Sequence, residues 1–173
     1  MSEDAATLRP ATPHDVASIV DIYNQSVTVN TASWDTAAQT VAERLAWFEA
    51  RTTAGQAVIV AERHGRVIGW GSWGPFRAKD GYRMTMEDTL YVDDSARGLG
   101  VGSQLLAALI DSARDAGVHA LIAAVSHEND ASIALHKKHG FTQVGRLPQV
   151  GAKFGRWLDL VLLQRTLDDR PLP

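Results

Sequence analysis

Six consecutive residues in mid-chain, Arg97-Gly98-Leu99-Gly100-Val101-Gly102, are of types that hold an anion. They follow an apolar segment that reads as a strand and precede a stretch with helical spacing. Such a turn leaves unpaired backbone N–H groups at a helix N-terminus, a good seat for a pyrophosphate. Gly100 and Gly102 allow the backbone to approach the anion closely, and Ser103 continues the same first turn. A glycine cluster alone does not name its ligand. A dinucleotide fold would show G-x-G-x-x-G and an acidic residue about 20 residues on. Here the spacing differs and a hairpin precedes the loop. No Gly-Lys-Ser/Thr occurs, which excludes a Walker A loop.

Other residues could act on whatever the loop holds. Glu87 stands two residues before the expected strand Thr89–Val92, as a proton acceptor for an amine or as a solvated carboxylate at a strand start. His136, on a short helix, is either a structural histidine or an acid that works near neutral pH. Arg77 and Arg83 lie in the loop before Glu87, where each could fork a carboxylate or make a surface ion pair. Asn129 could bond an extended ligand or cap the following helix. Leu90, Tyr91 and Val92 offer backbone groups along the strand, with side chains that also suit a core. Trp34 is a pocket wall or a core aromatic. The chain has no cysteine, so thiolate nucleophiles and zinc-thiolate sites are excluded, and no metal is expected.

The elements that must position these residues alternate in type. A first strand at Ala6–Arg9 leads to a helix start at Thr12-Pro13, with Asp15 completing a capping-box pattern. Val16, Ile19, Val20, Tyr23 and Val27 form one helical stripe. A second helix is expected over Ala38–Arg51, with Val41, Leu45 and Phe48 on one face. Strands Ala57–Ala61 and Val67–Gly71 flank a turn at His64-Gly65. After the Gly-rich loop, Leu105, Leu106, Leu109, Ile110 and Ala113 mark a helix that Gly117 ends. Ala120–Val125 reads as a buried strand, Ala131–Lys138 as a short helix, and Thr142–Gly145 and Trp157–Gln164 as the last strands. No linker or repeat divides them, so residues 1–173 are expected to form one α+β domain.

Composition bounds the partners. The 173 residues carry 17 Lys+Arg against 20 Asp+Glu, a net charge of −3, with both signs interspersed. A nucleic-acid surface needs a concentrated positive field, and none is present. No apolar run approaches the roughly 20 residues that span a bilayer. Met1-Ser2-Glu3-Asp4 lacks the features of a signal peptide, so the cytoplasm is expected. Small molecules are the expected partners.

The order of motifs resembles the GNAT superfamily, whose pyrophosphate loop Q/R-x-x-G-x-G/A is matched by Arg97, Gly100 and Gly102. Arg9-Pro10-Ala11-Thr12, Asn129-Asp130-Ala131-Ser132 and Lys138-His139-Gly140-Phe141 match its flanks. Within it, Asn24, Trp34, Trp47-Phe48, Gly81-Tyr82-Arg83, Glu87, Tyr91-Val92 and the run Gln149–Leu160 resemble the phosphinothricin/methionine sulfoximine N-acetyltransferases, from Leu8 to Leu167. The resemblance implies a mixed, mostly antiparallel, twisted sheet flanked by helices (an α/β/α layering) and splayed to admit coenzyme A. It implies acetyl-CoA as co-substrate, held by residues 97–103, Asn129 and the backbone of Leu90–Val92. It implies acetylation of the α-amino group of small glutamate-like amino acids by direct attack, Glu87 as base, and a homodimer. His136 stands where many GNAT enzymes carry a tyrosine acid. Arg77 matches the family's substrate loop, with Ala78, Lys79, Arg83, Asp88 and Thr89 nearby. Lys79 replaces an aromatic and Asp88 replaces a frequent histidine, which leaves the accepted side chain open. Acetylation of protein N-termini or polyamines, or an acyl-CoA sensor without turnover, are the competing functions.

Overall fold

The computed structural model describes residues 5–171; Met1–Asp4, read above for a leader, and the last two residues lie outside the described residues. Strands β1 (Thr7–Pro10), β2 (Val58–Arg63), β3 (Arg66–Pro75), β4 (Thr85–Val92), β5 (Ala120–Ser126), β6 (Thr142–Lys153) and β7 (Arg156–Thr166) form one sheet in the order β1-β2-β3-β4-β5-β7-β6. All neighbours are antiparallel except β4 and β5. Helices α1 (Val16–Val29) and α2 (Val41–Thr53) cover one face, and α3 (Val101–Asp115) and α4 (Asp130–Lys138) lie on the other. This is the expected α/β/α layering.

Local chemistry explains where the elements begin. Pro13–Asp15 is a 3-10 turn ahead of α1, and Asp15 accepts from both the backbone and the hydroxyl of Thr12. Arg9 forks the Asp15 carboxylate at 2.7 and 2.8 Å and also reaches Glu62. Chiefly through Arg9, the Asp15 carboxyl is pulled down to about 2. The five predicted apolar positions of α1 are all buried, as are those of α3. Each such side chain contributes about 1.5–3 kcal/mol relative to exposure.

Three expectations need correction. In α2 the buried residues are Arg44 and Phe48, and Val41 is exposed, because the helix starts at the Thr40 cap and turns its aromatic-and-arginine side inward. Strand β4 begins at Thr85, so Glu87 lies within it rather than before it; pairing with both β3 and β5 extends it. The final strands are much longer than their apolar cores. They form a hairpin closed at Phe154-Gly155, both with positive φ, and interrupted by a bulge around Gln149 that Asp159 pins by accepting its N–H at 2.9 Å.

This hairpin is fastened to α1 by a buried cation. Lys153 Nζ donates to the carbonyl oxygens of Ser26, Asn30 and Ser33 at 3.2, 2.8 and 2.6 Å. The Ser26 and Asn30 carbonyls lie at the end of α1, where the helix dipole favours a cation, and Ser33 follows in the next turn of chain. Burial pushes the Lys153 amine below its ordinary range. Replacing Lys153 with Met removes the donor from the Asn30 and Ser33 carbonyls and the second donor from Ser26, an expected loss of about 2 kcal/mol. For a chain of this size that lowers Tm by roughly 4–8 °C in a thermal melt; an unchanged Tm would exclude the clamp.

Candidate active site

The parallel pairing of β4 with β5 runs only from Thr85↔Ala120 to Asp88↔Ala123. Beyond it, β4 stays with β3 and β5 stays with β7, so the two strands part like a V. Two cavities open there. A groove of about 620 Å³ is walled by Leu90, Tyr91 and Val92, by Arg97, Gly98, Gly100, Val101, Gly102 and Ser103, and by Asn129. A chamber of about 280 Å³ beside it is bordered by Glu87, Asp88, Thr89, Trp34 and His136. The two share Leu90, Tyr91 and Asn129 as walls.

The groove fits an extended anionic ligand. Gly98 and Gly100 have φ of 77° and 79°, a left-handed turn that delivers the chain into α3. Gly102 has an ordinary backbone, and a Cβ there would meet Leu135 at 3.4 Å, so close approach is its only claim on glycine. Ser103 Oγ lies 2.7 Å from His139 Nε2. Arg97 is bridged to Asp94 at 2.6 Å. Leu99 does not face the groove; it is 53% exposed and borders a small pocket on the other side of the loop. Asn129 accepts from the Ser132 N–H at 3.1 Å, so the side chain caps α4 while bordering both cavities.

In the chamber, Glu87 and Asp88 point to opposite sides because strand side chains alternate. Asp88 is buried against α4, where its Oδ2 lies 3.0 Å from His136 Nε2. His136 Nδ1 lies 2.7 Å from the Ser132 carbonyl, which can only accept. A carbonyl on Nδ1 and a carboxylate on Nε2 favour a proton on both nitrogens, the imidazolium form. Burial, the largest single influence, opposes that charge, yet the Asp88 hydrogen bond, the Asp88 charge and the Ser132 carbonyl together outweigh it, and the net shift is upward. Asp88 Oδ1 has no hydrogen-bond partner among the described residues. Glu87 is half-buried on the α1/α2 side; burial and then Asp88 raise its carboxyl above the ordinary range, while Arg77 and Arg51 act against the rise. Tyr23 completes the wall, donating to Asp35 at 2.6 Å, and burial pushes its phenol up.

The substrate-loop residues are placed differently. Arg77, Ala78, Lys79 and Arg83 are exposed and border neither cavity. The Arg77 guanidinium lies 4.9 Å over the Phe76 ring, near enough in charge to act on Glu87. The sequence reading missed Arg44, Arg51 and the joining of Asp88 to His136. The spacing Arg44, Trp47, Phe48, Arg51 on one helix face was the available signal for the arginines.

The Acetyltransferase (GNAT) family model matches residues 17–141. The chain belongs to this family. It is 44% identical over 167 residues to an L-methionine sulfoximine/L-methionine sulfone acetyltransferase of Salmonella typhimurium, covering 96% of this chain and 98% of the relative. A phosphinothricin N-acetyltransferase of Alcaligenes faecalis is 39% identical, with 98% and 87% covered. The structure of yncA from Salmonella typhimurium with its cofactor acetyl-CoA superimposes with a TM-score of 0.96 at 44% identity, covering 98% of each chain. The enzyme is therefore an acetyltransferase with acetyl-CoA as co-substrate, and the groove has the unpaired backbone and left-handed glycines to receive it.

The Asp88–His136 contact has a pH signature. A histidine whose folded pKa is raised contributes stability below the unfolded value of about 6.5, and that contribution fades as pH rises through the folded value. Asp88→Asn should lower the His136 midpoint in an NMR titration. Urea unfolding should show the variant most destabilised near pH 5.5 and closest to wild type near pH 9. A pH-independent difference would exclude the ion pair.

Proposed function

We propose that the enzyme acetylates the α-amino group of small glutamate-like amino acids, with L-phosphinothricin, L-methionine sulfoximine and L-methionine sulfone as substrates. The observation that carries this reading is Glu87: a half-buried carboxylate with no hydrogen-bonded partner among the described residues, on the chamber wall where β4 and β5 part. The named activities of the relatives support the substrate class. A chamber of about 280 Å³ suits a free amino acid better than a peptide chain, which disfavours protein N-termini.

In this reading the loop 97–103 binds the pyrophosphate with backbone N–H groups, and the unpaired edge of β4 at 89–92 takes the pantetheine arm beside Asn129. Acetyl-CoA supplies an activated acyl group. Glu87 accepts the ammonium proton, directly or through one water, and frees the amine to attack. His136 holds a proton on the opposite side of β4, and passing it to the departing sulfur requires the ring to release its Asp88 or Ser132 contact. Arg77 pairs with an anionic group of the substrate from the loop, with Lys79, Arg83 and Thr89 around it. Attack is direct, since no cysteine exists to carry the acyl group. We place the enzyme in the cytoplasm, the compartment of its co-substrate; among the described residues no helix is long and apolar enough to cross a membrane.

Glu87→Gln keeps the shape and removes the acceptor, so kcat with methionine sulfoximine should fall by about 10²–10⁴-fold with the acetyl-CoA KM little changed. Activity within threefold of wild type from pH 6 to 9 would refute the base assignment.

The same reading includes a homodimer. Strand β6 is the outer edge of the sheet, and its hairpin exposes Val144, Leu147, Val150, Phe154 and Trp157, the last 66% accessible. A long apolar edge beside Arg146 and Arg156 has the aromatic-plus-arginine character of an interface. Light scattering at micromolar concentration should give twice the chain mass, and Trp157→Glu should shift it toward the monomer. A wild-type monomer would end the proposal.

A further inference from the structure

Gly74 of β3 sits directly across the ladder from Glu87 of β4. Residues opposite one another in an antiparallel pair point to the same face, with Cβ atoms about 4.5–5.5 Å apart. At Gly74 that direction is already occupied. A Cβ built there would fall 1.0 Å from Nη1 and 2.1 Å from Cζ of Arg51. Arg51 comes from the last turn of α2, with its guanidinium 5.7 Å from the Trp47 ring and Nη1 donating to Gln56 Oε1 at 2.8 Å. It makes no ion pair among the described residues. The glycine therefore opens a slot, and the slot seats a half-buried cation beside the candidate base.

We propose that Arg51, seated in the slot left by Gly74, is a positioning residue for Glu87 that keeps this carboxylate ionised and ready to accept a proton. The proposal rests on the reading of Glu87 as base. A cation within about 4–6 Å favours the charged form of a carboxyl, and partial burial limits its screening. The opposing influences on Glu87 are burial and Asp88 from its own strand; Arg77, from the exposed β3–β4 loop, acts with Arg51. Arg77 is open to solvent, whereas Arg51 is held by α2, Gln56 and the sheet. Substrate binding that displaces water from the chamber would strengthen the Arg51–Glu87 attraction further.

The test reads Glu87 directly. A ¹³C NMR titration of its side-chain carboxyl in the free enzyme, together with the pH profile of kcat/KM, is compared across Arg51→Gln, Arg51→Lys and Gly74→Ala. Gly74 has no left-handed φ, so alanine is compatible with its backbone and acts by expelling the guanidinium. Arg51→Gln and Gly74→Ala should each raise the Glu87 midpoint by about one unit. The acidic limb of kcat/KM should move with it, and Arg51→Lys should recover most of the shift. Circular dichroism checks folding, and should Arg51→Gln not fold, Gly74→Ala carries the test alone. A Glu87 midpoint unmoved in the folded variants would overturn the proposal. An active Glu87→Gln enzyme would instead overturn the base reading, while leaving the NMR comparison to judge Arg51.

Discussion

The parting of β4 from β5 is the constraint on which the remaining structure depends. Four residue pairs of parallel ladder hold the two halves of the sheet together, and then the strands diverge. Residues 89–92 on one side and 124–126 on the other keep partners only on their outer edges. Inside a protein, unpaired N–H and C=O groups are costly unless something meets them. An extended amide-bearing arm meets that need in the manner of an added strand. The fold therefore creates a demand that acetyl-CoA would satisfy in the proposed binding mode, and α3 starts at the mouth of the same opening with its own unpaired N–H groups.

An opening of this kind has to be braced, and the bracing is ionic rather than apolar. Lys153 ties the β6–β7 hairpin to the end of α1, and Arg156 forks Glu128 after β5 at 2.5 and 3.0 Å. Glu128 also accepts from Thr31. Residues 31–35, which border both cavities, are thus held from two directions. On the α2 side, Arg44 lies 4.3 Å over Tyr23 and 4.7 Å over Trp47, a buried cation whose company is aromatic. Rings accept a guanidinium through their negative faces, so it can be buried beside the chamber wall without a carboxylate on it.

Local signals made the fold and the glycine-walled groove legible in the sequence. The α1 and α3 stripes, the His64-Gly65 turn and the glycine loop each depend on residues within a few positions, and each appears where the spacing puts it. The misplaced features depend on partners distant in sequence. The start of β4 is decided by β3 and β5, and the length of the last hairpin by a bulge that Asp159 stabilises. Leu99 belongs to the motif by position, yet the left-handed turns on either side rotate it outward. Helical spacing could have placed Arg51 on the inward face of α2, but not against Gly74, which lies beyond β2 in the following strand.

Glu87 and Asp88 show why such distant partners matter. Two adjacent carboxyls in one peptide would ordinarily raise each other's cost of ionisation. The strand period sends them to opposite faces, so each meets different neighbours. Asp88 meets His136 and becomes half of a buried ion pair. Glu87 faces α2 and the chamber, near Arg51 and Arg77 but bonded to neither. One carboxylate is committed to holding a proton on a ring, and the other is left free to take one. A transfer that removes a proton from an amine and returns one to a sulfur needs both functions within reach of a single thioester. In the proposed reaction both functions come from two consecutive residues of one pleated strand at the edge of a gap.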